Sequence, residues 1–122
     1  MLACDVLALP YEDGASFRRG SLLAALEHGR AIVTTPPAPG AGGFGPRSLM
    51  PERHFLAVPP NDPAALAHAL TRLADEPELA ARLGGEAKRL AGLCSWESIA
   101  AETTQFYTEV RRAVDGGSCA QA

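Results

Sequence analysis

The order of apolar and polar positions divides the chain into short strands and helices. Residues 4–11, "CDVLALPY", form an apolar run closed by a turn residue. A run without alternation predicts a strand covered on both faces, as in a parallel sheet. Residues 16–28 carry Leu22, Leu23 and Leu26 at helical spacing, and Gly29 is placed to end that helix. Residues 31–35, "AIVTT", are β-branched and cut off by Pro36 and Pro37, which predicts a second strand. A third short strand is expected within residues 54–60, "HFLAVPP". Strand, helix and strand with short connections make a βαβ unit, whose crossover is right-handed.

Residues 36–53 are rich in proline and glycine and predict a loop. Structureless loops of this length are uncommon and are often functional or mobile. Beyond it, Asp62 can cap a helix that has Pro63 at its first position and Leu66, Leu70 and Leu73 on one face. Pro77 resets the chain into a helix over about 78–92, with Leu79, Leu83 and Leu90 on a stripe. Ser95 then caps a last helix over 95–114. Its stripe of Trp96, Ile99, Ala100, Thr103, Phe106, Tyr107 and Val110 follows the helical period. Core packing accounts for this stripe most simply, and a partner-binding face is the alternative. Residues 115–122 read as a disordered tail. The inventory is α/β: part of a doubly wound, Rossmann-like parallel sheet with C-terminal helices and an edge that calls for another strand.

Composition narrows the function classes. The chain has 122 residues, which suggests one domain at most. A net charge of −3 argues against a broad nucleic-acid surface. No apolar run is long enough to span a membrane. The three cysteines, Cys4, Cys94 and Cys119, are far apart and show no CxxC spacing, which fits a reduced, cytoplasmic protein better than a disulfide scaffold. His28, His54 and His68 fall on different elements, so no metal site is expected, and no cofactor is implied. "GAGGFG", residues 40–45, matches G-x-G-x-x-G by letter only. Prolines separate it from the strand before and spoil any helix after, so it reads as a flexible loop.

Candidate chemistry concentrates between the first strand and the first helix. The positive end of a helix dipole disfavours cations, yet Arg18 and Arg19 fall in the predicted first turn. Either Glu12 and Asp13 neutralise them, or an anion from outside the chain does. A strand end, a glycine turn at Gly14 and a helix start form the place where α/β folds take phosphate. Arginines there add charge-assisted hydrogen bonds.

Three blocks, "DVLALPY…LLAALEHGRAIVTT", "VPPNDPAALAHAL" and the Ser-Trp start of the last helix, occur in an order that resembles the C-terminal end of GT-B glycosyltransferases, group 1 or family 4. The resemblance runs from Ala3 to about Val114. It implies the latter half of a donor domain over residues 1–114, transferring a sugar from a nucleotide diphosphate to an acceptor hydroxyl with retention. It further implies that Gly14, Ala15, Ser16, Phe17, Arg18, Arg19, Gly20 and Ser21 meet the donor's diphosphate and sugar. The family's usual pair of glutamates is replaced by Ser16 and Ala24. Glu27, on nearly the same helix face as Ala24, is a candidate for the ribose, although a solvent-facing glutamate accounts for it more simply. The partners implied are the nucleotide-sugar donor and an N-terminal acceptor domain or complementary chain, without which weak or no activity is expected. A non-catalytic phosphate-binding module docking through residues 95–114 is the alternative. The location implied is cytoplasmic, with peripheral attachment at the inner membrane face as a variant.

Overall fold

The computed structural model describes residues 3–43 and 47–121, with the side chains of 118–121 left aside. It divides into two units, one ending at Gly92 and one starting at Leu93.

The first unit holds three parallel strands in the order β1-β2-β3: β1 (Val6–Leu9), β2 (Ala31–Thr34) and β3 (Leu56–Ala57). Val6 pairs with Ala31 and Leu9 with Thr34; Val33 pairs with Leu56. The central strand β2 is buried at every position, as its unbroken apolar run predicts. Helix α1 (Gly20–Glu27) covers one face, where Leu22, Ala25 and Leu26 pack with Ile32, Leu49 and Phe55. Helix α2 (Pro63–Asp75) covers the other, where Ala69 and Leu73 meet Val33, Leu56 and Val58. Asp62 caps α2 as expected, accepting a hydrogen bond of 3.0 Å from the Ala65 amide.

Helix α3 (Pro77–Leu93) serves both cores. Leu79 and Leu83 join the α2 side, while Ala87 and Leu90 join the α1 side. It crosses beneath the start of β2 at Gly84, where the Gly29 carbonyl presses against the helix backbone. Gly29 has φ +63° and its amide bonds the Leu26 carbonyl, so it ends α1 as the sequence predicts.

Three expectations change. Helix α1 starts at Gly20, four residues later than Ser16, because Ser16 closes a separate turn: its carbonyl accepts from the Arg19 amide and its hydroxyl from the Arg18 amide. Leu70 lies on the exposed side of α2, and Ala65, Leu66, Ala69 and Leu73 form the packed face instead. Strand β3 has only two residues, because residues 50–54 fold into a turn and Pro59 and Pro60 follow.

The second unit is dominated by α4 (Trp96–Gln121), whose first turn is capped by the Ser95 hydroxyl accepting from the Ser98 amide. The helix continues across residues 115–121, which composition alone assigns to a tail. Along its apolar stripe Trp96 is 82% exposed, Phe106 60%, Tyr107 65% and Val114 62%, so the stripe is not packed within its own unit.

Candidate functional site

The site lies at the carboxyl ends of β1 and β2, where two loops leave the sheet side by side. Beyond the strands, threonine hydroxyls extend the pairing. Thr34 donates to the Leu9 carbonyl (2.6 Å) and Thr35 to the Tyr11 carbonyl (2.7 Å). The Ala15 amide donates to the Thr35 carbonyl (3.3 Å). These bonds carry the turn after β1 across the end of β2. Gly14 makes the crossing possible. It has φ +90°, and a Cβ there would lie 2.6 Å from the Pro36 carbonyl oxygen. Ala15 is fully buried beneath the turn.

The result is a cavity of about 440 Å³ lined by Ser16, Phe17 and Arg18 from the first loop and Pro39, Gly40, Ala41 and Gly43 from the second. Both Gly40 and Gly43 have positive φ, and a Cβ on Gly43 would strike the Phe17 ring. The second loop is strapped in place by the Leu49 amide, which donates to the Gly42 carbonyl (2.8 Å). Among the described lining residues, Arg18 is the one charged side chain. The cavity therefore favours an anion.

The two arginines are not equivalent. Arg19 is the N-cap of α1. Its guanidinium pairs with Asp13 and stacks over the Tyr11 ring at 4.6 Å. Tyr11 in turn shares a hydrogen bond with Ser21. No described side chain pairs with the guanidinium of Arg18, a residue that lines the cavity. No side chain caps α1, so its first backbone amides keep their donors.

Of the residues chosen from sequence, the structure brings Ser16, Phe17 and Arg18 onto the cavity and places Gly14 and Ala15 under it. Arg19 is occupied by Asp13, and Gly20 and Ser21 begin α1. Glu27 is exposed at the far end of the helix, roughly 12 Å along its axis from Arg19. The second wall, residues 39–43, was missed because its prolines and glycines signal only a loop. The last two residues of "GAGGFG", 44 and 45, lie outside the described residues. Among the described residues no cluster of His, Cys, Asp and Glu could hold a metal.

No family model matches the chain, so kinship rests on individual relatives. The chain is 34% identical over 111 residues to a D-inositol 3-phosphate glycosyltransferase of Streptomyces avermitilis, and 35% identical over 106 residues to that of Streptomyces coelicolor. These matches cover 91% and 87% of this chain, and 22% of each relative. Among solved structures, a sucrose-phosphate synthase from Thermosynechococcus elongatus superposes with a TM-score of 0.65 at 28% identity, over 91% of this chain and 26% of that one. These relatives are glycosyltransferases, in line with the resemblance to group 1 enzymes of the GT-B fold. The chain spans about a fifth of the length of the curated relatives it matches, and corresponds to their C-terminal part. In this chain the β1–α1 turn and the cavity beside it stand at the carboxyl ends of the parallel strands, the place where α/β folds take ligands. Among the described residues, no helix is long and apolar enough to cross a membrane.

Proposed function

We propose that this chain supplies part of the donor half of a retaining glycosyltransferase, and that the cavity beside Arg18 takes the diphosphate of a nucleotide sugar. The observation that carries the reading is that, among the described residues, Arg18 is the one charged residue on a cavity at the carboxyl ends of parallel strands, and no described side chain pairs with it. The uncapped amides of α1 support it. Arg18 holds the diphosphate by charge-assisted hydrogen bonds and offsets the negative charge that grows on the leaving nucleotide as the glycosidic bond breaks. The Ser16 hydroxyl, which accepts from the Arg18 amide, keeps its own proton free to donate to the sugar or to a phosphate oxygen. Arg19 acts from behind by fixing the turn through Asp13 and Tyr11. The acceptor site belongs to an N-terminal domain or a complementary chain, and alone this chain has weak activity or none. The same reading places it in the cytoplasm, peripheral to a membrane at most.

Thermal unfolding of the chain with UDP, GDP and ADP tests the reading. One of the three raises the melting temperature, by an amount equivalent to about 2.7 kcal/mol at a hundredfold excess over Kd. Arg18→Ala abolishes the rise, and Arg19→Ala only reduces it. A folded chain that none of the three nucleotides stabilises would refute the proposal.

The exposed stripe of α4 favours a second reading, a non-catalytic phosphate-binding module that docks through this helix. Co-expression with the remaining domains of a relative separates the two. Restored sugar transfer supports the enzyme reading, while nucleotide binding without transfer supports the module.

A further inference from the structure

His54 stands outside the donor site, yet it holds the loop that builds the cavity's second wall. It is 5% exposed, and its Nδ1 accepts the Met50 amide at 3.0 Å. The His54 amide returns a bond of 3.0 Å to the Met50 carbonyl. Between them the chain makes a tight turn in which Glu52 has φ +63°, a left-handed conformation that a side chain disfavours. The Glu52 amide donates to the Phe55 carbonyl (2.8 Å), and the Glu52 carboxylate pairs with Arg72 of α2. Next to Met50, buried Leu49 packs in the same cluster as Phe17, and its amide straps Gly42 between the lining residues Ala41 and Gly43.

An imidazole Nδ1 accepts a backbone amide only while it carries no proton. Protonation there would set two N–H groups against each other inside a strained turn. We propose that His54 is a proton-operated latch: neutral, it holds the 49–54 segment and the cavity wall closed, and protonated, it releases them. The charged groups facing it are Arg53 on its own turn and Glu86 on α3, which also pairs with Arg53 (3.3 Å) and Arg89 (3.6 Å). Burial first, and then the Arg53 cation, hold the His54 pKa below the ordinary 6.5, with Glu86 pulling the other way. The latch is therefore fully closed above pH 6.5 and opens as the pH falls through the lowered value. It rests on loop geometry alone and does not depend on which anion the cavity takes.

The test is a heteronuclear NMR titration of the whole chain from pH 8 to pH 5. His54 titrates below 6.5. The Met50, Leu49 and Gly42 amides move with the same midpoint, and the Leu49 amide exchanges at least tenfold faster with solvent below it. In His54→Asn the side-chain oxygen replaces Nδ1 as acceptor but does not titrate, so these amides stay flat. Should that variant not fold, Arg53→Gln serves, because removing the cation raises the His54 midpoint and the amide midpoints rise with it. Amides that stay flat through the His54 titration, or that titrate unchanged in either variant, would overturn the latch.

Discussion

Two adjacent glycines in α3 should respond to the same substitution with opposite sign. In a helix interior, glycine to alanine gains about 1 kcal/mol from propensity. Gly85 faces open space, with nothing within 4 Å of a Cβ built there, so Gly85→Ala should show that gain undiluted. Gly84 lies where α3 crosses the start of β2. A Cβ on Gly84 would overlap the Gly29 carbonyl oxygen and lie 3.1 Å from the Gly29 carbonyl carbon. A carbon normally keeps about 3.3–3.6 Å from a carbonyl oxygen, so helix and strand would have to part by roughly 1 Å. Both groups are backbone, and the neighbouring Leu83 and Ala87 are fully buried in the two cores. Overpacking of this kind costs about 1–3 kcal/mol, and the separation would also loosen the contacts of Leu83. The net change for Gly84→Ala is a loss of about 1–2 kcal/mol. At this chain length that is a fall of roughly 3–10 °C in melting temperature, against a rise of about 3–5 °C for Gly85→Ala. Urea unfolding of both variants beside the parent, read by far-ultraviolet circular dichroism, measures the difference directly. If Gly84→Ala matched Gly85→Ala, α3 would not press on the Gly29 peptide, and the account of one helix serving both cores would fail.

Gly14→Ala should cost about 2–5 kcal/mol, combining a left-handed backbone with a Cβ driven against the Pro36 carbonyl, and would be seen as a lowered urea midpoint. Phe106→Ser should change the stability of the isolated chain by less than about 0.5 kcal/mol, since the ring is exposed; a loss of about 3–5 kcal/mol would show that the α4 stripe is a core after all. Asp13→Asn removes the partner that fixes Arg19 in the turn, so nucleotide diphosphate should bind roughly two- to fivefold more weakly by calorimetry. Equal or tighter binding would mean that the Asp13–Arg19 pair is not needed to hold the turn.

Much of the fold was legible because single residues decide local structure. Pro63 behind Asp62 marks the start of α2, Gly29 marks the end of α1, and an unbroken "AIVT" marks the central strand. Where the reading slipped, a tertiary contact outweighed a local signal. Ser16 is a good helix cap in isolation, but the Thr35 carbonyl takes the Ala15 amide and pulls the segment into a turn of its own. Leu70 fits the helical period of α2, but the smaller Ala69 fits closer against the sheet. The last helix shows the limit of the pattern: periodicity reports that one face is apolar and says nothing about what covers it.

The site was legible only as a question of charge. Two arginines at the start of a helix signal a missing anion, and the sequence offered two answers, a neighbouring acid or a ligand. The structure gives the first answer for Arg19, and the proposed function gives the second for Arg18. The helix begins at Gly20, so Arg19 is its cap and Arg18 stands before it. Asp13 and the Tyr11 ring answer for Arg19, and the cavity walled by residues 39–43 leaves Arg18 open. Spacing could not assign these roles, because consecutive residues in a turn point in different directions and the opposite wall comes from a loop more than twenty positions away. Among the described residues, the Arg18 guanidinium on the cavity and the first amides of α1 are the donors that the proposed diphosphate site would use.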